Sequence, residues 1–249
     1  MPYWLKRHFV PITAHFDFTL ALTYAFPVTA LDQLIAPRLR LDTHEHWGFV
    51  AIALVATRQL RPRGIPAALG RAFFLTGYRV FTRYRTVAGR ELRGLRIIRS
   101  DTDSRVMATF GNLLTHYHYS VARVSIQRSA TDLTIDVATP SGVADLRVRA
   151  RTANAVEAPP AGSPFSSNRE ARRFAGPMPF TFDYEPETQS IIRVEGVRHN
   201  WQPRPISVDV ERVTFFDHPP FAGGPRPVLA SAYYLEDVPY HWKRGIREP

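Results

Sequence analysis

Apolar and polar positions alternate from Phe16 to Phe26: Phe16, Phe18, Leu20, Leu22, Tyr24 and Phe26 interleave with Asp17, Thr19, Ala21, Thr23 and Ala25. A period of two places successive side chains on opposite faces, so this run predicts a half-buried strand. Strand patterns then dominate the chain. Trp47 to Arg58 is mostly apolar and closes at the Arg61-Pro62-Arg63-Gly64 turn. Ala72 to Val87 predicts a long strand, with Leu92 to Arg99 as its hairpin partner across Ala88-Gly89. Further strands are expected at 117–128, 133–139, 144–150, 180–184, 191–195, 206–216 and 229–235. The turn signals at 129–132 and at Pro140-Ser141-Gly142 make the first three of these an antiparallel meander.

Helical signals are few and short. Thr29 to Ile35 predicts one turn or two, ended by Pro37. Asp103 is placed to cap a helix from Ser104 to about Leu114, with Val106, Phe110, Leu113 and Leu114 as its buried stripe. A third short helix is expected at 166–174. Many short strands with few helices predict a closed or sandwiched β architecture. The Ala-, Pro- and Gly-rich stretch 151–164 reads as a surface loop, since short strands resume after it. The whole of 1–249 is therefore expected to be one domain.

Composition narrows the function classes. With 45% hydrophobic and 12% aromatic residues the chain can fill a sizeable core. It has no cysteine, which excludes disulfides and thiolate metal sites. The net charge of +10 comes almost entirely from arginines spread along the chain. Nucleic-acid binders concentrate charge on one element or carry a recognisable module, so that class is disfavoured. The basic cluster Lys6-Arg7-His8 precedes an apolar run, yet period-two alternation and Asp17 argue against a signal peptide. No stretch approaches the ~20 apolar residues that span a bilayer. The expected location is cytoplasmic, with no membrane partner.

Several short motifs carry a resemblance. They are Tyr78-Arg79-Val80-Phe81-Thr82-Arg83-Tyr84 followed by Gly94-Leu95-Arg96-Ile97-Ile98, the helix leading into Tyr117-His118-Tyr119-Ser120-Val121-Ala122, Val197-Arg198-His199-Asn200-Trp201, and Asp237-Val238-Pro239-Tyr240-His241-Trp242. Together they resemble the DUF2071 family of the acetoacetate decarboxylase-like superfamily. The resemblance implies a mainly β fold, an antiparallel β-barrel around an internal cavity, with no agreed activity. It also implies a glutamate four residues before the strand arginine Arg83, where this chain has Arg79. The superfamily's decarboxylase resembles a machine built on a Schiff-base lysine depressed in pKa by a neighbouring cation. The only lysines here are Lys6 and Lys243, one near each end. A guanidinium stays protonated and cannot replace that amine, so decarboxylation by this route is not expected.

The candidate site follows from the long strand. Its odd face runs Phe73, Leu75, Gly77, Arg79, Phe81, Arg83, Arg85. If that face lines the cavity, Arg79 and Arg83 project inward and favour an anionic ligand, because a buried guanidinium is costly unless paired. In the opposite orientation Tyr78 and its even neighbours face inward, and Tyr78 counts among the candidate contacts. His116 or His118 could serve as a cavity acid/base with Tyr119 as a hydrogen-bond donor. His199 and Trp201 enter through the resemblance, with a structural role favoured. The pairs His44/His46 and His116/His118 share faces at i, i+2, but no spacing nominates a third ligand, so no metal and no cofactor is expected. Two functions remain open: a cavity for a small apolar organic anion, lyase-type catalysis included, or a non-catalytic ligand-binding or interaction module. Homo-oligomerisation is left open.

Overall fold

The computed structural model describes residues 2–176 and 178–249. In chain order the strands are β1 (Ile12–Pro27), β2 (Leu39–Leu41), β3 (Trp47–Pro62), β4 (Arg71–Arg85), β5 (Glu91–Thr102), β6 (Tyr119–Val121), β7 (Arg123–Arg128) and β8 (Asp132–Ala138). They continue with β9 (Leu146–Arg151), β10 (Phe180–Glu185), β11 (Ser190–Arg198), β12 (Arg204–Pro205), β13 (Ser207–Val213), β14 (Val228–Trp242) and β15 (Ile246–Glu248). The two α-helices are α1 (Arg105–Leu114) and α2 (Asn168–Phe174).

The larger sheet closes on itself. Its path β14-β1-β3-β4-β5-β10-β11 returns to β14, where Gly196, Val197 and Arg198 lie opposite Trp242, His241 and Tyr240. A ring of seven strands cannot be antiparallel throughout, because an odd number leaves two neighbours pointing the same way. Those neighbours are β5 and β10, whose short parallel register sets Phe180 opposite Gly94 and Thr181 opposite Leu95. The expected all-antiparallel closure is corrected at this joint.

A second, four-stranded sheet runs β13-β9-β8-β7 and contains the expected meander. Its Leu133, Ile135, Val137, Leu146 and Val148 pack on the outer face of the ring, against Phe18, Leu20, Leu22, Ile52, Leu54 and Tyr78. Leu20, Leu22, Ile52 and Leu54 are fully buried, and each stabilises the fold by about 1.5–3 kcal/mol relative to exposure. The even face of β1 is thus the main core. Its odd face does not meet solvent as a half-buried strand would; Thr19, Ala21 and Thr23 face the inside of the ring.

Local differences have local causes. The segment after β1 forms two 3-10 turns, Val28–Ala30 and Asp32–Leu34, rather than one helix. Ser104, not Asp103, caps α1 through the Met107 N–H, while Asp103 accepts from the Phe74 N–H across the hairpin. The buried positions of α1 are the small ones, Ala108 and Gly111, whereas Val106 and Phe110 are exposed. The 117–128 strand breaks into β6 and β7, β6 lying parallel to β5. No described helix is long and apolar enough to cross a membrane.

Candidate functional site

The ring holds a cavity of about 280 Å³. Small side chains make it. The register aligns Thr23 with Ala51 and Ala21 with Ala53, then Ala51 with Arg79 and Ala53 with Gly77. Three adjacent strands therefore present alanine, threonine and glycine inward, where larger side chains would fill the space. Phe81 and Met178 line part of the wall and are backed by Phe49, Phe165 and Phe174, with Phe49 and Phe165 stacked at 5.3 Å. Ser167 caps α2 by accepting from the Glu170 N–H, which fixes the helix that delivers Phe174. At one end lie His8, Phe9 and Val10 together with Met107, Phe110 and Leu114 of α1.

The polar groups converge on Arg79. Its side chain folds back over Gly77, whose absent Cβ would stand 3.0 Å from Nε. Burial lowers its pKa, and the Arg198 charge lowers it further, against the opposing influence of Tyr240, Tyr119 and Tyr117. Its Nε is buried without a hydrogen-bond partner. Arg198 enters from β11, its pKa also lowered by burial, its Nη1 donating to the Tyr240 hydroxyl at 3.4 Å and its guanidinium 4.6 Å from the Trp201 ring. Burial raises Tyr117, and pushes Tyr119 up to about 12. Both are therefore neutral hydrogen-bond donors at physiological pH. Asn112 clamps Tyr119 by accepting from its N–H at 2.7 Å and donating to its carbonyl at 2.8 Å. Among the described residues, none that lines the cavity is acidic.

His8 completes the set. It is buried, and desolvation pulls its pKa down to about 4, so it stands in the cavity wall as a neutral imidazole with Nδ1 unpartnered. Its segment is anchored by Arg7, which makes two bonds of 2.8 and 2.7 Å to the fully buried Glu185.

The sequence candidates separate cleanly. Arg79, Tyr119 and Trp201 line the cavity. Arg83 does not: on the same face of β4 but beyond Phe81, its Nε meets Asp42 at 2.6 Å and its Nη1 meets Glu91 at 3.1 Å. Tyr78 faces the other sheet, donating to the Ala144 carbonyl and lying 4.1 Å from the Phe215 ring. His116 is held by Asp183, with Nδ1 at 2.8 Å from the carboxylate, and does not line this cavity. His118 and His199 are exposed. No cluster of three metal-ligating side chains occurs among the described residues. Neither lysine reaches the cavity; Lys243 pairs with Glu195 at 2.9 Å. Sequence reasoning missed His8, Tyr117, Arg198 and Tyr240, although the last three lie inside motifs that carried the resemblance.

The fold belongs to a known class. A solved acetoacetate decarboxylase from Legionella pneumophila matches with a TM-score of 0.63 at 10% identity, covering 96% of this chain and 87% of its own. The enduracididine biosynthesis enzyme MppR, solved with pyruvate, matches at 0.63 and 12% identity over 95% of this chain and 90% of its own. An acetoacetate decarboxylase-like enzyme from Sphingomonas wittichii RW1 matches at 0.53 and 13% identity, over 96% of this chain and 90% of its own. At such identities the likeness shows the fold alone. Residues 13–238 match the DUF2071 family model, described as an uncharacterized conserved protein, and the chain belongs to that family. No curated protein is a significant match.

Proposed function

We propose that the ring cavity binds a small, largely apolar organic anion whose oxyanion lies between Arg79 and Arg198. One observation carries the reading: two guanidiniums enter a buried, mostly apolar space that contains no carboxylate. Buried charge without a partner is expensive, and a ligand oxyanion would supply the missing charge and acceptors. Tyr117 and Tyr119 add neutral donors aimed at the same space. The anion site sequence reasoning built from Arg79 and Arg83 thus becomes Arg79 and Arg198.

The test is thermal shift and calorimetry with apolar carboxylates such as 3-phenylpropionate. Wild type gains stability with ligand, Arg83→Met keeps that gain, and Arg79→Met loses at least tenfold in affinity, about 1.4 kcal/mol. No stabilisation of wild type by any apolar anion would sink the proposal.

A second reading adds proton transfer, and His8 favours it. His8 is a neutral imidazole with an unpartnered Nδ1 facing the cavity. Burial lowers its pKa to about 4 and makes it a weak base, and a bound anion would raise its basicity toward that needed for proton transfer. Imine chemistry has no support, since among the described residues no lysine lines the site. If a bound ligand is turned over, His8→Gln should abolish turnover and leave binding intact. Turnover unchanged in that variant would clear His8.

A further inference from the structure

Accepting the anion site just proposed, we infer that its ligand carries a doubly charged head, a dianionic oxyanion, rather than a single carboxylate. The first ground is charge. Arg79 and Arg198 stand on β4 and β11, across the ring from each other, and both face its interior. No acidic side chain lines the space between them. A monoanion therefore leaves one buried positive charge uncompensated, whereas a dianion neutralises both. Aromatic faces at Trp201 and Tyr240 lie over the Arg198 guanidinium, at 4.6 and 5.8 Å. Such contacts stabilise a cation only modestly and do not replace a counter-charge. They also leave in-plane N–H groups free for an acceptor.

The second ground is hydrogen bonding. Each guanidinium is donor-only, and Tyr117 and Tyr119 remain protonated hydroxyls. The head region thus offers a surplus of donors. A phosphate monoester or a geminal dicarboxylate presents three or four oxygens to them, where a lone carboxylate presents two. An ammonium group beside the head is disfavoured, because the two guanidiniums repel a third positive charge. The apolar body of the ligand then lies along the small-residue stripe of Ala21, Thr23, Ala51 and Ala53.

The experiment compares matched ligands by calorimetry on the full chain at pH 7.5. Benzylmalonate, with two charges, should bind at least tenfold more tightly than 3-phenylpropionate, with one. Phenyl phosphate loses its second proton at about pH 6. Its affinity relative to phenylacetate should rise roughly tenfold between pH 5 and pH 7.5, while phenylacetate itself controls for titration of the protein. In Arg198→Met and Arg198→Gln the dianion advantage should shrink to about twofold while 3-phenylpropionate still binds. Thermal melts of both variants confirm that they are folded. Equal affinities for one and two charges in wild type would overturn the dianionic head and leave the anion site standing. An advantage that persists undiminished in both Arg198 variants would overturn its assignment to this pair. Failure of all four ligands to bind would overturn the anion site itself.

Discussion

Two arginine sites less than a strand's length apart along β4 behave as opposites. Arg83 and Arg93 grip one fully buried carboxylate, Asp42, at 2.6 Å each, and Glu91 closes the group. Arg79, four residues earlier, is more deeply enclosed and meets no carboxylate at all. Pairing with Asp42 raises the pKa of Arg83, while burial lowers that of Arg79. Both arginines lie on the odd face of one strand, so the difference comes from what the rest of the fold supplies opposite them. The Asp42 cluster spends its charges on holding β2, β4 and β5 together. The cavity keeps its charges uncommitted, and uncommitted buried charge is the mark of a binding site.

The largest test of that contrast acts on the satisfied side. Asp42→Ala removes two charge-assisted hydrogen bonds, each contributing about 1.5–3 kcal/mol. Chemical denaturation should show a loss of roughly 4 kcal/mol. A loss below about 1 kcal/mol would mean that the cluster is as idle as a surface pair.

Next comes the attempt to add a third positive charge to the cavity. Folding lowers the His8 pKa from 6.5 to about 4, so the unfolded chain takes up the proton first. Its contribution is complete above pH 6.5, declines as the pH falls toward 4, and is constant below that. The total is about 3 kcal/mol at 1.36 kcal/mol per pK unit. Stability measured from pH 7.5 to pH 4 should therefore fall less steeply in His8→Leu than in wild type. Parallel slopes would show that His8 is not desolvated.

The smallest effect has the opposite sign to the first. Arg79→Met replaces an unpaired buried cation by an apolar side chain of similar length, and should stabilise the free protein by about 2 kcal/mol. For a chain of this size the thermal midpoint would rise by roughly 4–8 °C. Destabilisation instead would show that Arg79 has a structural partner, and the contrast with Arg83 would collapse.

Much of the fold was legible because strand periodicity is local. β1, β3, β4, β5 and the meander follow directly from alternation and turn residues. The meaning of the second face was not legible. Thr19, Ala21 and Thr23 read as the outer side of a half-buried strand, yet face an internal cavity. Alternation reports two environments, and solvent is only one candidate for the smaller, more polar one. Alanines at 51 and 53 on an otherwise apolar run were the signal that could have revealed the cavity. Arg83 was misplaced because its partner, Asp42, lies 41 residues away, beyond the reach of any periodicity. Arg198 was missed because β11 was read as ending at Glu195, and His8 because its basic cluster was weighed only as the start of a signal peptide.

Seven is also a number with mechanical consequences. Parity obliges the wall to contain one seam between strands running the same way, and that seam is short, with two residue pairs in register. Gly94 sits in it, pressed by the Phe180 carbonyl so closely that a Cβ would come within 2.5 Å. The β11–β14 join is nearly as short, with three pairs, whereas β1 is bonded along long antiparallel edges to β3 and β14. The enclosure is therefore a strap with two short clasps, one on either side of the β10–β11 hairpin. Its resistance to breathing, and with it the rate at which a guest could leave through the wall, is set by those few residue pairs rather than by the bulk of the sheet.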